Sequence, residues 1–118
     1  MNLLAKLRGR KTAKPVAWLD TNQLSRLPDS PSPPLLIEVR GPAEFTGPLG
    51  HIEAAQNIPL DDIPARAAGL SGERRQLVLI CHTDRRSAAA AEHLRRAGAT
   101  GIAVLRGGMV SWRSRAVP

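Results

Sequence analysis

The sequence predicts one α/β domain in three layers, with a central, mainly parallel sheet flanked by helices. Three observations lead there. The chain has 118 residues, 42% of them hydrophobic and 23% charged, which suits a single domain with one modest core and leaves no room for a two-domain enzyme. Leu77 to Ile80 and Ile102 to Leu105 are unbroken apolar runs of strand length, as expected of strands covered on both faces. Between them lies an alanine-rich helical stretch, so strand and helix alternate.

Val16 to Leu19 reads as a short first strand, and Asp20 or Thr21 can cap a helical turn through Leu24 and Leu27 up to Pro28. Ser30 to Pro34, with three prolines, is a loop. Leu35 to Val39 is a second strand, ending where Arg40-Gly41-Pro42 forces a turn. Ala43 to Gly50 is turn-rich, and Ile58 to Leu60 is short and extended. Asp61-Asp62 before Pro64 resembles a capped helix start, closed by Gly69. After the Leu77 to Ile80 strand, Ser87 to Ala97 forms a helix with Ala88, Ala91 and Leu94 on one side and Gly98 as its stop. Ile102 to Leu105 follows, Gly107-Gly108 breaks it, and Met109 to Trp112 begins a terminal helix.

Seventeen Lys and Arg against ten Asp and Glu give a net charge of +7. Five of the basic residues lie between Lys6 and Lys14, ahead of the first acid; without them 12 basic residues face 10 acids, a net charge of only +2. Residues 1–14 therefore read as a basic tail and 15–118 as the domain. The tail is expected to be solvated, with a basic amphipathic turn at Leu3, Leu4 and Leu7 as the alternative. Nucleic acid is not expected as a partner, because Trp18, Phe45 and Trp112 are the sole aromatics and none interleaves with the basic run. No apolar stretch is long enough for a signal or a membrane span, so the expected location is a reducing cytoplasm. Cys81 is the only cysteine, which excludes an internal disulfide and a cysteine-rich zinc site. His51, His82 and His93 lack metal-ligand spacing. Neither a metal nor another cofactor is implied.

Chemistry concentrates at Cys81, where the most apolar strand gives way to a helix. Ligands of open α/β sheets bind beyond the carboxyl ends of the strands. The free N–H groups that open a helix, together with its dipole, favour an anion beside them. Helix N-termini and neighbouring Arg likewise favour the thiolate form of a cysteine, and Arg85 and Arg86 follow four and five residues on. Cys81 is thus expected to be largely ionised and nucleophilic. A buried free cysteine acting as a small hydrophobe is the competing reading, and the spacing alone does not choose between them.

Leu36-Ile37-Glu38-Val39-Arg40, Glu44-Phe45, Gly50-His51-Ile52, Ala55 with Asn57-Ile58-Pro59-Leu60, Cys81-x4-Arg86-Ser87 and Gly107-Gly108-x3-Trp112 occur in the order and approximate spacing of a single rhodanese-like domain. The resemblance covers roughly Val16 to Trp112. It implies a rhodanese-like three-layer fold and a sulfurtransferase in which Cys81 carries sulfane sulfur as a persulfide. The sulfur would rest in a cradle of N–H groups from His82, Thr83, Asp84, Arg85, Arg86 and Ser87, with Arg86 closing the cradle and Ser87 capping the helix. A small sulfur donor would load it, and a thiol, cyanide or a protein acceptor would remove it. Related phosphatases and arsenate reductases place one more residue between Cys and Arg, so a sulfur atom suits this ring better than phosphate. A rhodanese-like binding or regulatory module without turnover is the alternative.

Three positions depart from the family pattern. Asp84 stands where Gly is frequent, at a position expected to need positive φ, and its carboxylate is expected to repel anionic donors. The expectation is weak thiosulfate:cyanide activity that improves in Asp84→Gly. Glu38 replaces the usual Asp and should keep a local hydrogen bond. Glu53-Ala54 replaces Pro-Gly and should alter a turn. His51 is expected to be a structural hydrogen-bonding residue, His82 a partly exposed loop residue that is either passive or an aid to anions, and His93 a helix-surface residue. Trp18 and Trp112 are expected in the core.

Overall fold

The computed structural model describes residues 15–27 and 30–115; the basic tail lies outside the described residues. The order of elements is β1 (Ala17–Leu19), α1 (Thr21–Arg26), β2 (Leu35–Glu38), α2 (Pro42–Phe45), β3 (Gln56–Asn57), a 3₁₀ turn (Leu60–Asp62), α3 (Ile63–Ser71), β4 (Leu77–Ile80), α4 (Arg85–Arg96), β5 (Ile102–Leu105) and α5 (Gly108–Ser114). The strands form one parallel sheet in the order β1-β5-β4-β2-β3. β4, β2 and β5 fill the middle, which explains why these three runs lack polar alternation. Leu36 pairs with Val78 and Val78 with Ala103.

Alternation along the strands divides the core into two faces. Leu35, Ile37, Leu77, Leu79, Ile102 and Val104 pack with Ile63, Ala67 and Leu70 of α3 and with Ala90, Ala91 and Leu94 of α4. Leu36, Val78, Ile80, Ala103 and Leu105 pack with Leu24 of α1 and Met109 of α5, and Trp112 leans against them. Two helices on each side of a sheet make the three layers expected.

Local details correct the sequence reading at several points. Asp20 is the α1 cap, accepting from Gln23 N–H at 2.7 Å while the Gln23 side chain accepts from Asp20 N–H at 2.8 Å, a reciprocal capping box. The third strand is Gln56–Asn57, which the local pattern does not pick out, and the Ile58 to Leu60 stretch after it supplies a buried anchor at Ile58 and enters the 3₁₀ turn at Leu60. α3 runs through Gly69 to Ser71, because Gly69 keeps helical backbone and Leu70 is buried beyond it. On α4 the buried side is Ser87, Ala90, Ala91 and Leu94, not Ala88. Gly98 does stop that helix, at φ +102°. Trp18 lies on the edge strand β1 and is 38% exposed, with the Arg106 guanidinium 4.8 Å from its ring centre, so it is not a core residue.

Candidate active site

Cys81 follows β4 directly, and alternation from Leu77 and Leu79 sends its side chain toward α3 and α4, where it is 1% exposed. Its Sγ stands 3.2 Å from Ser87 Oγ in the first turn of α4. Ser87 is fully buried and its hydroxyl also lies 3.1 Å from the Asp84 carbonyl oxygen. One hydroxyl proton serves two acceptors. When it points at Asp84 the sulfur can donate to Ser87, and when the sulfur is anionic the hydroxyl can turn to donate to it. Ser87 is therefore inside the helix and bonded back to residue 84, not its cap; Asp84 occupies the cap position, without a side-chain cap bond.

The loop from Cys81 to Asp84 is clamped by the turn between β5 and α5. Met109 N–H donates to the Cys81 carbonyl at 2.9 Å and Val110 N–H to the His82 carbonyl at 3.1 Å. In a trans peptide N–H and C=O point in opposite directions, so the N–H groups of His82 and Thr83 face away from α5. Among the described residues, none of the N–H groups from His82 to Ser87 donates to a backbone carbonyl. Cys81 is deeply buried among the aliphatic side chains of the core, and Ser87 Oγ is the polar atom that touches its sulfur.

The Asp84 backbone is not in the left-handed region that a glycine there would suggest. Its φ is −129°, an ordinary value that needs no glycine. Its carboxylate accepts from Gly107 N–H at 2.7 Å, so it fastens the loop to the β5–α5 turn. The chain can approach so closely there because residue 108 is glycine. A Cβ at Gly108, where φ is +54°, would run into the Cys81 carbonyl and stand 2.5 Å from that of Thr83.

Arg86 is engaged in a manner the sequence reading missed. Its two terminal nitrogens donate to the two carboxylate oxygens of Glu44, at 2.7 and 3.0 Å, 42 positions earlier in the chain. This bond holds the Glu44 carboxyl at about 2, well below its ordinary 4.5, helped by Gly41 N–H and opposed by partial desolvation. The same bond raises Arg86, and the Cys81 charge acts in the same direction. Glu44 appears in the sequence motif beside Phe45, but only the folded chain brings it to α4.

Behind Glu44 stands a buried ion pair. Arg40, 2% exposed, donates to Glu38 Oε1 at 2.7 Å, to the Gly50 carbonyl at 2.6 Å and to the Glu44 carbonyl at 3.1 Å. Glu38 thus makes the local bond expected of it. Asn57 Nδ2 donates to the Glu38 and Arg40 carbonyls at 3.0 and 2.9 Å, tying β3 to the end of β2. His51 stacks on Phe45 at 3.7 Å, and its Nδ1 lies 2.9 Å from the Phe45 carbonyl oxygen, a structural role as expected. His82, Thr83 and Arg85 are exposed around the loop, and His93 is exposed on α4. Among the described residues no group of His, Cys, Asp and Glu could hold a metal ion, and no helix is long and apolar enough to cross a membrane.

Comparison with known proteins gives a consistent picture. The family model of the rhodanese-like domain matches residues 20–115. A protein named sulfurtransferase from Allochromatium vinosum is 30% identical over 100 residues, covering 85% of this chain and 91% of its own. YqhL of Bacillus subtilis is 42% identical over 77 residues, which is 65% of this chain and 59% of YqhL. The chain spans about half the length of the uncharacterised curated relatives that it matches. Among solved structures, a rhodanese-related protein from Thermoplasma volcanium superposes with a TM-score of 0.73 at 26% identity, covering 86% of this chain and 95% of that one.

Proposed function

The chain belongs to the rhodanese-like family, and from that membership we propose that it is a sulfurtransferase using Cys81 as the sulfur carrier. The Cys81 thiolate attacks the outer sulfur of a donor, the donor's S–S bond breaks, and its remainder leaves with the bonding electron pair. The persulfide on Cys81 is then attacked at its terminal sulfur by a thiol, cyanide or a protein acceptor, which regenerates the thiolate. The donor remainder keeps the electron pair that the acceptor supplies anew, so the donor is reduced by as much as the acceptor is oxidised and no external redox cofactor is required.

The observation that carries this reading is the run of N–H groups from His82 to Ser87, free of backbone carbonyl partners, in the loop that follows Cys81 and the first turn of α4. Such a nest favours a negative sulfur at the head of α4. Ser87 Oγ, 3.2 Å away, can donate to an anionic Sγ, and Arg86 supplies the nearby positive charge. His82, Thr83, Asp84 and Arg85 supply backbone to the same ring, and the exposed side chains among them form its rim. A reducing compartment such as the cytoplasm would keep a lone cysteine free for this chemistry. We take residues 15–118 as the domain, with 1–14 as a basic extension.

A non-catalytic binding module is favoured by two observations: Cys81 is 1% exposed, and Arg86 is already paired with Glu44. Intact-mass measurement after incubation with cysteine persulfide separates the two readings. A sulfurtransferase gains one sulfur atom, removable by cyanide, in wild type and none in Cys81→Ser. No added sulfur in wild type with any donor would make the module the correct reading.

A further inference from the structure

We propose that Glu44 determines which sulfur donors the site accepts, by holding both arms of Arg86 so that thiosulfate is disfavoured and persulfides, R–S–SH, are the donor class. The proposal rests on the sulfurtransferase reading above. The two donors differ in what must leave. When the Cys81 thiolate takes the outer sulfur of thiosulfate, the S–S bond breaks and sulfite departs as a dianion. When it takes the terminal sulfur of a persulfide, the departing group is a thiolate carrying one negative charge. A second charge on the leaving group makes far greater demands on a nearby guanidinium.

The Arg86 guanidinium is committed elsewhere. Both of its terminal nitrogens are bonded to Glu44, and Glu44 is itself held from the other side. Its Oε1 also accepts from Gly41 N–H at 3.1 Å, and its carbonyl accepts from the buried Arg40 at 3.1 Å. α2 is thus anchored through Arg40 to Glu38 at the end of β2. An incoming dianion would have to displace a carboxylate secured in this way, or accept that carboxylate as a repelling neighbour. Arg85 is exposed on the same turn of α4, where water and salt screen it. The carboxylate of Asp84 is turned to Gly107 N–H, 2.7 Å away, and its charge acts in the same sense as that of Glu44.

The test compares rates of Cys81 sulfur loading from thiosulfate and from cysteine persulfide, by intact mass, in wild type, Glu44→Gln and Glu44→Asp. Both donors are measured on one preparation, so any loss of folded protein cancels in their ratio. Wild type is expected to load faster from the persulfide. In Glu44→Gln, which frees Arg86 of its counter-charge, the thiosulfate-to-persulfide ratio is expected to rise about ten-fold, the scale of one charge-assisted hydrogen bond. Glu44→Asp, which keeps the charge, should stay closer to wild type. Equal loading from both donors in wild type, or an unchanged ratio in Glu44→Gln, overturns the proposal and leaves the sulfurtransferase reading standing. Loading from neither donor overturns both.

Discussion

Ala54 holds φ at +71°, the one non-glycine left-handed residue among the described residues. Side chains at such positions clash with their own backbone, and glycine is free of that penalty. The family's frequent Pro-Gly at Glu53-Ala54 has this physical basis: the turn after His51 demands the conformation whichever residue occupies it. Ala54→Gly is expected to stabilise the protein by about 0.5–1 kcal/mol, the relief of strain exceeding the added freedom of the unfolded chain. Urea unfolding with an unchanged m-value would register it as a higher midpoint. Cys81 and Arg86 stood out in the sequence through the strand-to-helix junction and the motifs around them. Glu44 did not, since nothing in a carboxylate 37 positions ahead of a cysteine announces that it will meet the arginine beyond it.

At the level of elements, the approach of α5 to the Cys81 loop depends on two glycines in left-handed backbone, Gly107 at φ +78° and Gly108 at φ +54°. Gly108→Ala is expected to destabilise the protein by about 2 kcal/mol or more, through both backbone strain and a Cβ driven into the loop carbonyls. It should also slow sulfur loading on Cys81, because the loop must shift to admit the methyl group. Gly69 offers the contrast: it lies within α3, and a Cβ there meets nothing within 4 Å. Gly69→Ala should stabilise by about 0.5–1 kcal/mol, the helix preference for Ala over Gly. Thermal unfolding of the pair therefore gives shifts of opposite sign. The run Gly107-Gly108 was legible as a break after β5, whereas its second duty, letting α5 donate to the Cys81 and His82 carbonyls, arises from packing.

For the whole molecule, three carboxylates paired with arginines contribute to the response to acid. Glu44 with Arg86, Glu73 with Arg75 and Glu92 with Arg95 are each drawn from 4.5 to about 2 by hydrogen bonding to the guanidinium. A folded-state value below the unfolded one contributes stability that is present above about 4.5 and lost as pH falls toward about 2. Stability should therefore owe nothing to these groups between pH 7 and 5 in its slope, and should decline below that window. All three pairs are solvent-accessible, so the decline should be shallow and flatter still in high salt. Urea midpoints across pH at low and high salt measure both effects, and Glu44→Gln should remove its share of the decline.

The strands β2, β4 and β5, the capped first helix, the alanine-rich α4 and the exposed position of His93 were determined by local pattern, because apolar runs, caps and helix-stopping glycines act over a few residues. So was the place of Cys81 at a strand-to-helix junction. The strand order, the partnership of Glu44 with Arg86, the carboxylate of Asp84 turned to Gly107 and the exposed face of Trp18 were decided by tertiary structure. Each depends on groups 20 to 90 positions apart being brought together by the packing of two helical layers on one sheet, and no local preference of the chain encodes such a meeting.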